Sequence, residues 1–450
     1  MVKNKTRFVC QQCGTAYSKW AGRCENCGAW NSLVEQVAEN MSAKAAIFRS
    51  NGSPLKTAHL KDALDETGLR RIATAIADFD EVLGGGIVEG SVVLIAGQPG
   101  IGKSTILSQI AAAVGTHEKV LYVSGEESVG QVAGRVARLH LPHEVLELVS
   151  TTSADDIATT IRQGGYKLVV VDSIQTIAMS ELSSAPGSVG QITNASNLLI
   201  QAAKQSNTAL VMVGHVTKEG SIAGPKVLEH LVDVVLSIEG DRYGGFKVLR
   251  AVKNRYGSTS EAAVFDMTDE GLVPVANPSA ALLAERQNAD GSIILATIEG
   301  NRPLLVEIQA LVNKTHFGYP KRTASGFDLN RLNLLIAVLE RRTKLQLAES
   351  DIYINVVGGM KLQDPGADLA VCMAIASAAA ERQLADDIVV FGEVGLSGEI
   401  RSVNANEKRL AEAKKLGFKK AITPRIKTKH TLAAPVATLR DALIHYLQKK

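Results

Sequence analysis

The sequence predicts an α/β chain with a parallel sheet at its centre, a metal-binding finger before it and a second α/β unit after it. Three observations predict this. Short β-branched runs at 92–96, 120–123, 168–171 and 209–213 are each separated from the next by a helix-length segment, the pattern of buried parallel strands with crossover helices. Four of the five cysteines fall within residues 10–27. At 450 residues the chain is too long for one core, so several domains are expected.

Composition bounds the rest. Hydrophobic residues at 46% and charged residues at 21% are ordinary for globular proteins and exclude a disordered chain. A net charge of +3 is too small to attract nucleic acid through a global field, so any such surface must come from local clusters of Lys and Arg. No stretch reaches the roughly 18 apolar residues that cross a bilayer. The basic start, residues 1–8, runs into cysteines instead of an apolar signal core, so no membrane association and a cytoplasmic location are expected.

The finger comes first, at residues 1–34. Cys10 and Cys13 form one C-x-x-C pair, and Cys24 and Cys27 another, with Gly14 and Gly28 after them to ease the turns. Two such pairs at this spacing place four thiolates around one structural Zn²⁺. So small a module has almost no core, and the metal would supply its folding energy. Trp20 and Trp30, the chain's two tryptophans, flank the second pair, to stack on a partner or base or to cover the site. Residues 35–60 lack periodicity and read as a linker.

The α/β domain follows, at 61–275. Gly97, Gln98, Pro99, Gly100, Ile101, Gly102, Lys103 and Ser104 match G-x-x-x-x-G-K-[ST] in full, with Thr105 next. The match follows the predicted strand 92–96 and opens a predicted helix 105–114, the context of a phosphate-binding P-loop. Its backbone N–H groups curl around the phosphates of ATP at a helix N-terminus. Lys103 would reach the β- and γ-phosphates and Ser104 would coordinate Mg²⁺. The strand at 168–171 ends in Asp172, a second Mg²⁺ ligand acting through water. The strand at 120–123 leads to Glu126 and Glu127, where a carboxylate can polarise the attacking water. Glu126 is preferred, with Glu127 as the alternative. His215, after the next strand, either senses the γ-phosphate or is a hydrogen-bonded strand-end histidine.

Lys253, Asn254, Arg255, Tyr256 and Gly257 follow the predicted strand 247–252. Two cations, an amide, an aromatic ring and a turn glycine suit a finger for a neighbour's γ-phosphate, a contact to DNA phosphates, or a solvated basic turn. With these residues in place, the chain resembles the bacterial RadA (Sms) family of RecA-like recombination proteins over essentially its whole length. The segment 253–257 matches that family's K-N-R-F-G motif, with Tyr256 in place of Phe. The resemblance implies a RecA-like ATPase core that hydrolyses ATP with Mg²⁺ and is stimulated by DNA. It implies binding to single-stranded and branched DNA, and branch migration of intermediates in homologous recombination and repair. It further implies a RecA-type recombinase as partner, and a homo-hexamer with ATP between subunits, an open filament being the alternative. Residues 253–257 would couple hydrolysis to DNA, with Arg255 counted as catalytic. Loops at 181–191 and 218–226 match the DNA-binding loops of such cores, and the second carries Lys218 and Lys226.

A pattern break near 268–284 separates the last domain, 285–450, which is similar to the proteolytic domain of Lon. That family's D-G-P-S-A-G segment corresponds here to Asp364, Pro365, Gly366, Ala367 and Asp368, with Ala367 at the nucleophile position. The catalytic lysine position falls on Glu407. With both members of the dyad replaced there is no nucleophile to activate, so an inactive scaffold is expected and an ATP-dependent protease is not. Arg302, Lys314, Lys321, Arg322 and Lys361 are its candidates for contacting duplex DNA.

Overall fold

The structure is a computed structural model and describes residues 6–10, 15–26, 28–30, 32–37, 70–142, 145–216, 222–223, 227–240, 245–315, 318–426 and 430–447. The chain divides into two compact units. One comprises Met1–Ser237, Ala251–Ser258 and Asp269–Gly271; the other comprises Ile238–Arg250, Thr259–Thr268 and Leu272–Lys450. Among the described residues, no helix is long and apolar enough to cross a membrane.

In the first unit, the β-branched runs form strands Val92–Gly97, Val120–Ser124, Leu168–Asp172 and Ala209–Val216. Every residue of the first three is buried, because helices cover both faces of the sheet. The sheet places Val92–Gly97 beside Ala209–Val216, then Leu168–Asp172, Val120–Ser124 and Leu146–Ser150, and all these pairs are parallel. The register aligns their carboxyl ends: Gly97 stands opposite His215, and Ser124 opposite Asp172. Ligands of parallel α/β sheets bind at this edge.

Helix starts are set by short polar side chains. Ser128 closes a capping box with Gln131 before Val129–Arg138, and Ser153 and Ser188 cap Ala154–Gly164 and Val189–Gln205. The N-terminal ribbon is a small antiparallel sheet in which Thr6–Cys10 lies between Ala16–Tyr17 and Leu33–Val37. The finger therefore ends at Val37, not at residue 34, because residues 34–37 pair with 6–9 across the ribbon. The remainder of the expected linker lies outside the described residues.

In the second unit, a seven-stranded mixed sheet runs in the order Arg322–Ser325, Ser350–Val356, Arg302–Lys314, Ser292–Glu299, Ile388–Val390, Lys420–Thr423 and Ala433–Pro435. The helix Ala367–Ala380 packs on its central hairpin. This helix is buried from Ala367 to Ala378 and apolar apart from Ser377 and Asp368, which pairs with Arg331, so it is a core helix and its alanines let neighbours approach closely.

One buried ion pair braces this core. Arg409, 1% exposed, ion-pairs with Asp364 at 2.5 Å and donates to the Ala296 carbonyl at 2.7 Å. Burial pushes the Asp364 carboxyl up, but the Arg409 guanidinium, the Gly366 N–H and the Thr297 hydroxyl outweigh it and hold it below the usual range. Removing one partner strands a buried charge. Arg409→Ala should destabilise the second unit by roughly 3–5 kcal/mol, whereas replacing Arg409 and Asp364 together by apolar residues should recover most of that loss. Urea unfolding followed by circular dichroism measures both, and an Arg409→Ala curve matching wild type would refute the assignment.

Candidate active site

The P-loop joins the strand Val92–Gly97 to the helix Lys103–Gly115. Gly100 and Gly102 have φ of 77° and 110°, the left-handed region that side chains disfavour, so glycine at both positions lets the backbone curl. Lys103 is 5% exposed, and its Nζ donates to the carbonyls of Gly97 at 2.9 Å and Gln98 at 3.0 Å. Burial lowers its pKa to about 8, and the nearby Asp172 and Glu126 carboxylates partly oppose that shift. Ser104 and Thr105 lie in the first turn of the helix, at the sheet edge where the strands end.

Asp172 is buried at the end of its strand, and the Tyr122 hydroxyl donates to its Oδ2 at 2.7 Å. The cost of burying that phenol and the adjacent Asp172 charge push the Tyr122 pKa far up, so it stays a donor. The two adjacent glutamates separate in space. Glu127 pairs with Arg135, with Arg135 Nη1 to Oε1 at 3.0 Å and Nη2 to Oε2 at 2.6 Å, and its N–H donates to Ser124 Oγ. Glu126 accepts from the Ser173 hydroxyl, the residue after Asp172, and is the acid whose charge is felt at Lys103. The strand Ala209–Val216 carries the backbone of His215 to a position beside Gly97. A cation, two carboxylates and a phosphate-shaped backbone loop thus converge at one sheet edge. Such a set can hold a triphosphate and activate water.

The 253–257 segment is anchored to its own unit. Lys253 Nζ donates to the carbonyls of Glu229 at 2.6 Å and Val232 at 2.7 Å, at the end of the helix Val227–Leu231. Asn254 donates to the Leu83 carbonyl at the end of the helix Ala77–Leu83. Arg71 ties the same corner, donating to the Tyr256 carbonyl at 2.8 Å. Gly257 packs closely on Gly84, where an added Cβ would lie 3.3 Å from the Gly84 Cα and the Leu83 carbonyl. Arg255 Nη1 ion-pairs with buried Asp233 at 3.2 Å while its side chain stays 57% exposed, the member with reach into solvent. Burial pushes Asp233 up, yet Lys204, the Val92 N–H and Arg255 prevail and hold it below the usual range.

The loop 181–191 is held at both ends. Gln191 donates to the carbonyls of Leu182 and Ser184, and its Oε1 accepts from the Met179 N–H. Buried Glu35 of the ribbon accepts from Ser183 Oγ at 2.9 Å and from the Ser184 N–H at 3.1 Å. Of the loop 218–226, the described residues include Ile222–Ala223, which pair with His215 and Val216; Lys218 and Lys226 lie outside them.

In the ribbon, Cys10 and Cys24 are buried against Leu33, Phe8 and Tyr17. Their turns close alike: Cys10 N donates to Thr15 O at 2.9 Å, and Cys24 N to Ala29 O at 2.8 Å. Ser32 Oγ accepts from Cys10 Sγ at 3.3 Å and donates to the Ala29 carbonyl, and the Tyr17 hydroxyl lies 3.3 Å from Cys24 Sγ. Matching thiol-bearing turns with hydroxyls around the sulfurs fit a Zn²⁺. Cys13 and Cys27 lie outside the described residues.

In the second unit, Ala367 opens the core helix and is fully buried, while Glu407 is exposed in the first turn of the helix Asn406–Lys415. The cation beside Gly366 is Arg409. Lys314 and Arg322 flank the strand Ser350–Val356, opposite Ser350 and Ile352, and Lys321 is next to Arg322; Arg302 and Lys361 are placed elsewhere. Sequence reasoning missed Tyr122, Ser173, Arg135, Asp233 and Glu35. Four of these roles depend on pairings across 22 to 149 positions, for which no local pattern exists, and Arg135 pairs with Glu127 eight positions away, from within the next helix.

Comparison with known proteins places this site in context. Residues 56–221 match the family model described as an AAA domain, residues 8–35 the rubredoxin metal binding domain, and residues 333–427 subunit ChlI of Mg-chelatase. DNA repair protein RadA of Pseudomonas aeruginosa is 48% identical over 425 residues, which cover 94% of this chain and 94% of that protein. Its counterpart in Bacillus subtilis is 47% identical over 427 residues, covering 94% and 93%. That of Escherichia coli is 46% identical over 429 residues, covering 93% and 92%.

A lysine held near pH 8 makes nucleotide binding pH-dependent. The ammonium is charged below that value and neutral above it, so ATP affinity should fall as pH rises through about 8. Lys103→Arg, which keeps its charge, should flatten the dependence. Titration with a fluorescent ATP analogue from pH 7 to about 9.5 reads this out; a flat wild-type profile would count against the assigned environment.

Proposed function

This chain belongs to the RadA family of DNA repair proteins, a family of P-loop ATPases, and on that premise we propose that it is a DNA-stimulated ATP hydrolase that binds single-stranded DNA and drives branch migration of recombination intermediates. The observation that carries this reading is a short chain path. The strand that ends in Asp172 leads within about ten residues into the loop 181–191, so a shift at the nucleotide carboxylates has a direct covalent route to a candidate DNA loop. The reading includes work in the cytoplasm as a homo-hexamer, with branched DNA and a RecA-type recombinase as partners.

In this mechanism, residues 97–105 wrap the phosphates and Lys103 exchanges its backbone carbonyls for phosphate oxygens. Ser104 and Asp172 supply the hard oxygen ligands that suit Mg²⁺, and Tyr122 orients the Asp172 carboxylate. When bound, Mg²⁺ neutralises charge developing on the β- and γ-oxygens. Glu126 takes the proton of the attacking water, since Glu127 is committed to Arg135. Lys253, Asn254, Tyr256 and Gly257 hold the corner from which Arg255 reaches a neighbouring subunit's nucleotide or DNA. Lys314, Lys321 and Arg322, gathered at the start of one strand, are the proposed duplex contacts of the second unit. No peptide hydrolysis is proposed there. Ala367 offers no nucleophile, and Arg409 beside it does not deprotonate to act as a base.

Steady-state ATP hydrolysis with and without single-stranded DNA tests the reading. DNA should raise a rate that Lys103→Ala abolishes; hydrolysis indifferent to DNA would replace the motor with an ATPase that serves protein partners. Glu126→Gln should lower kcat by about 10²–10⁴-fold. Glu127→Gln should cost less than tenfold, and the reverse order would exchange the two roles.

A further inference from the structure

The mechanism above uses none of the ribbon's outer surface, yet that surface is unusual. Trp20 and Trp30 are the chain's only tryptophans, and they are 58% and 71% exposed. Indoles carry large apolar faces that folding normally covers, so two exposed together mark a contact surface. They border a cleft of about 410 Å³ whose opposite wall includes Ser184, Ser188 and Val189, from the loop 181–191 and the helix it leads into. The Arg23 guanidinium stands 5.7 Å above the Trp30 ring and donates to the Gly28 carbonyl at 3.0 Å, which fixes that edge of the platform.

Charge selects the occupant. Residues 1–37 hold five cations (Lys3, Lys5, Arg7, Lys19, Arg23) and two acids (Glu25, Glu35), a net +3. The whole chain is also +3, so the other residues sum to zero; four thiolates and one Zn²⁺ bring the loaded ribbon to +1, which is still the chain's entire excess. Glu35 is turned inward to Ser183 and Ser184, which leaves Glu25 as the ribbon's outward acid. Exposed π-faces in a cationic module suit unpaired bases strung on phosphates, the chemistry of sequence-tolerant single-strand binding.

We propose that Trp20 and Trp30 form a stacking platform for bases of single-stranded DNA, and that the ribbon feeds the strand along the cleft to the loop 181–191. This rests on the single-strand-binding reading above. Duplex DNA, whose bases are already stacked, would not engage the platform.

The test uses the full-length, zinc-loaded protein. Because no other tryptophan is present, its tryptophan emission reports on this platform alone. Titration with end-labelled oligo-dT should quench that emission in step with the rise in label anisotropy, and a duplex should not quench it. Trp20→Ala and Trp30→Ala should each weaken oligo-dT binding by roughly 5–100-fold. Trp→Phe variants, which keep a ring, should recover most of the affinity and guard against a folding artefact, as should zinc content. Binding seen by anisotropy with unchanged emission and unchanged Trp→Ala affinity would overturn the platform and turn the surface over to a protein partner, while the DNA reading stood. No binding by anisotropy would overturn the DNA reading and this proposal together.

Discussion

Burying the Lys103 ammonium costs solvation that only fixed oxygens can offset, and the nucleotide edge of the first unit is arranged around that need. Two carbonyls of its own loop take its protons, and the carboxylates of Asp172 and Glu126 face it from neighbouring strand ends. Those carboxylates must then be fixed in turn. Tyr122 holds Asp172, Ser173 holds Glu126, and Arg135 draws Glu127 away. Each of these contacts joins different strands or helices, so the site exists only when the parallel register is correct. A slip of one residue would turn Tyr122 and Asp172 to opposite faces and leave a buried phenol and a buried carboxylate unpaired.

That dependence decides what a sequence can disclose. The P-loop and the strand ending in Asp172 are legible because their signals are local: glycines where the backbone curls, and an apolar run stopped by an acid. The choice between Glu126 and Glu127 is not local. Both are acids at one strand end, and what separates them is Arg135, eight residues on and across a helix turn. The 253–257 segment shows the opposite error of emphasis. Read as free cations, Lys253 and Arg255 look equivalent. In the fold, Lys253 saturates helix-end carbonyls and Asn254 caps a second helix, so Arg255 alone keeps an outward guanidinium.

The second unit follows the same logic of buried charge held by fixed partners. A helix opens with Ala367 after an Asp-Pro-Gly turn, and the neighbouring cation is an arginine locked to Asp364. The pair braces the turn against the Ala296 carbonyl. From sequence, Glu407 occupies the lysine position; the residue that actually reaches the turn, Arg409, lies two places further on, on the buried face of the same helix. Helical phase, which a motif match does not report, accounts for that difference.

The ribbon gains a structural role from Glu35 irrespective of what binds its outer face. A buried carboxylate must be satisfied, and Glu35 finds its donors in Ser183 and Ser184, while its carbonyl accepts from Asn194 of the following helix. If the loop 181–191 moves during an ATP cycle, these bonds must either break or carry the ribbon with it. Breaking them gives up two hydrogen bonds to a carboxylate that the loop helps to bury. Keeping them couples the ribbon to the loop through Glu35. The zinc that folds the ribbon would then also set the stiffness of the loop, because a loop loses its clamp when Glu35 loses its strand.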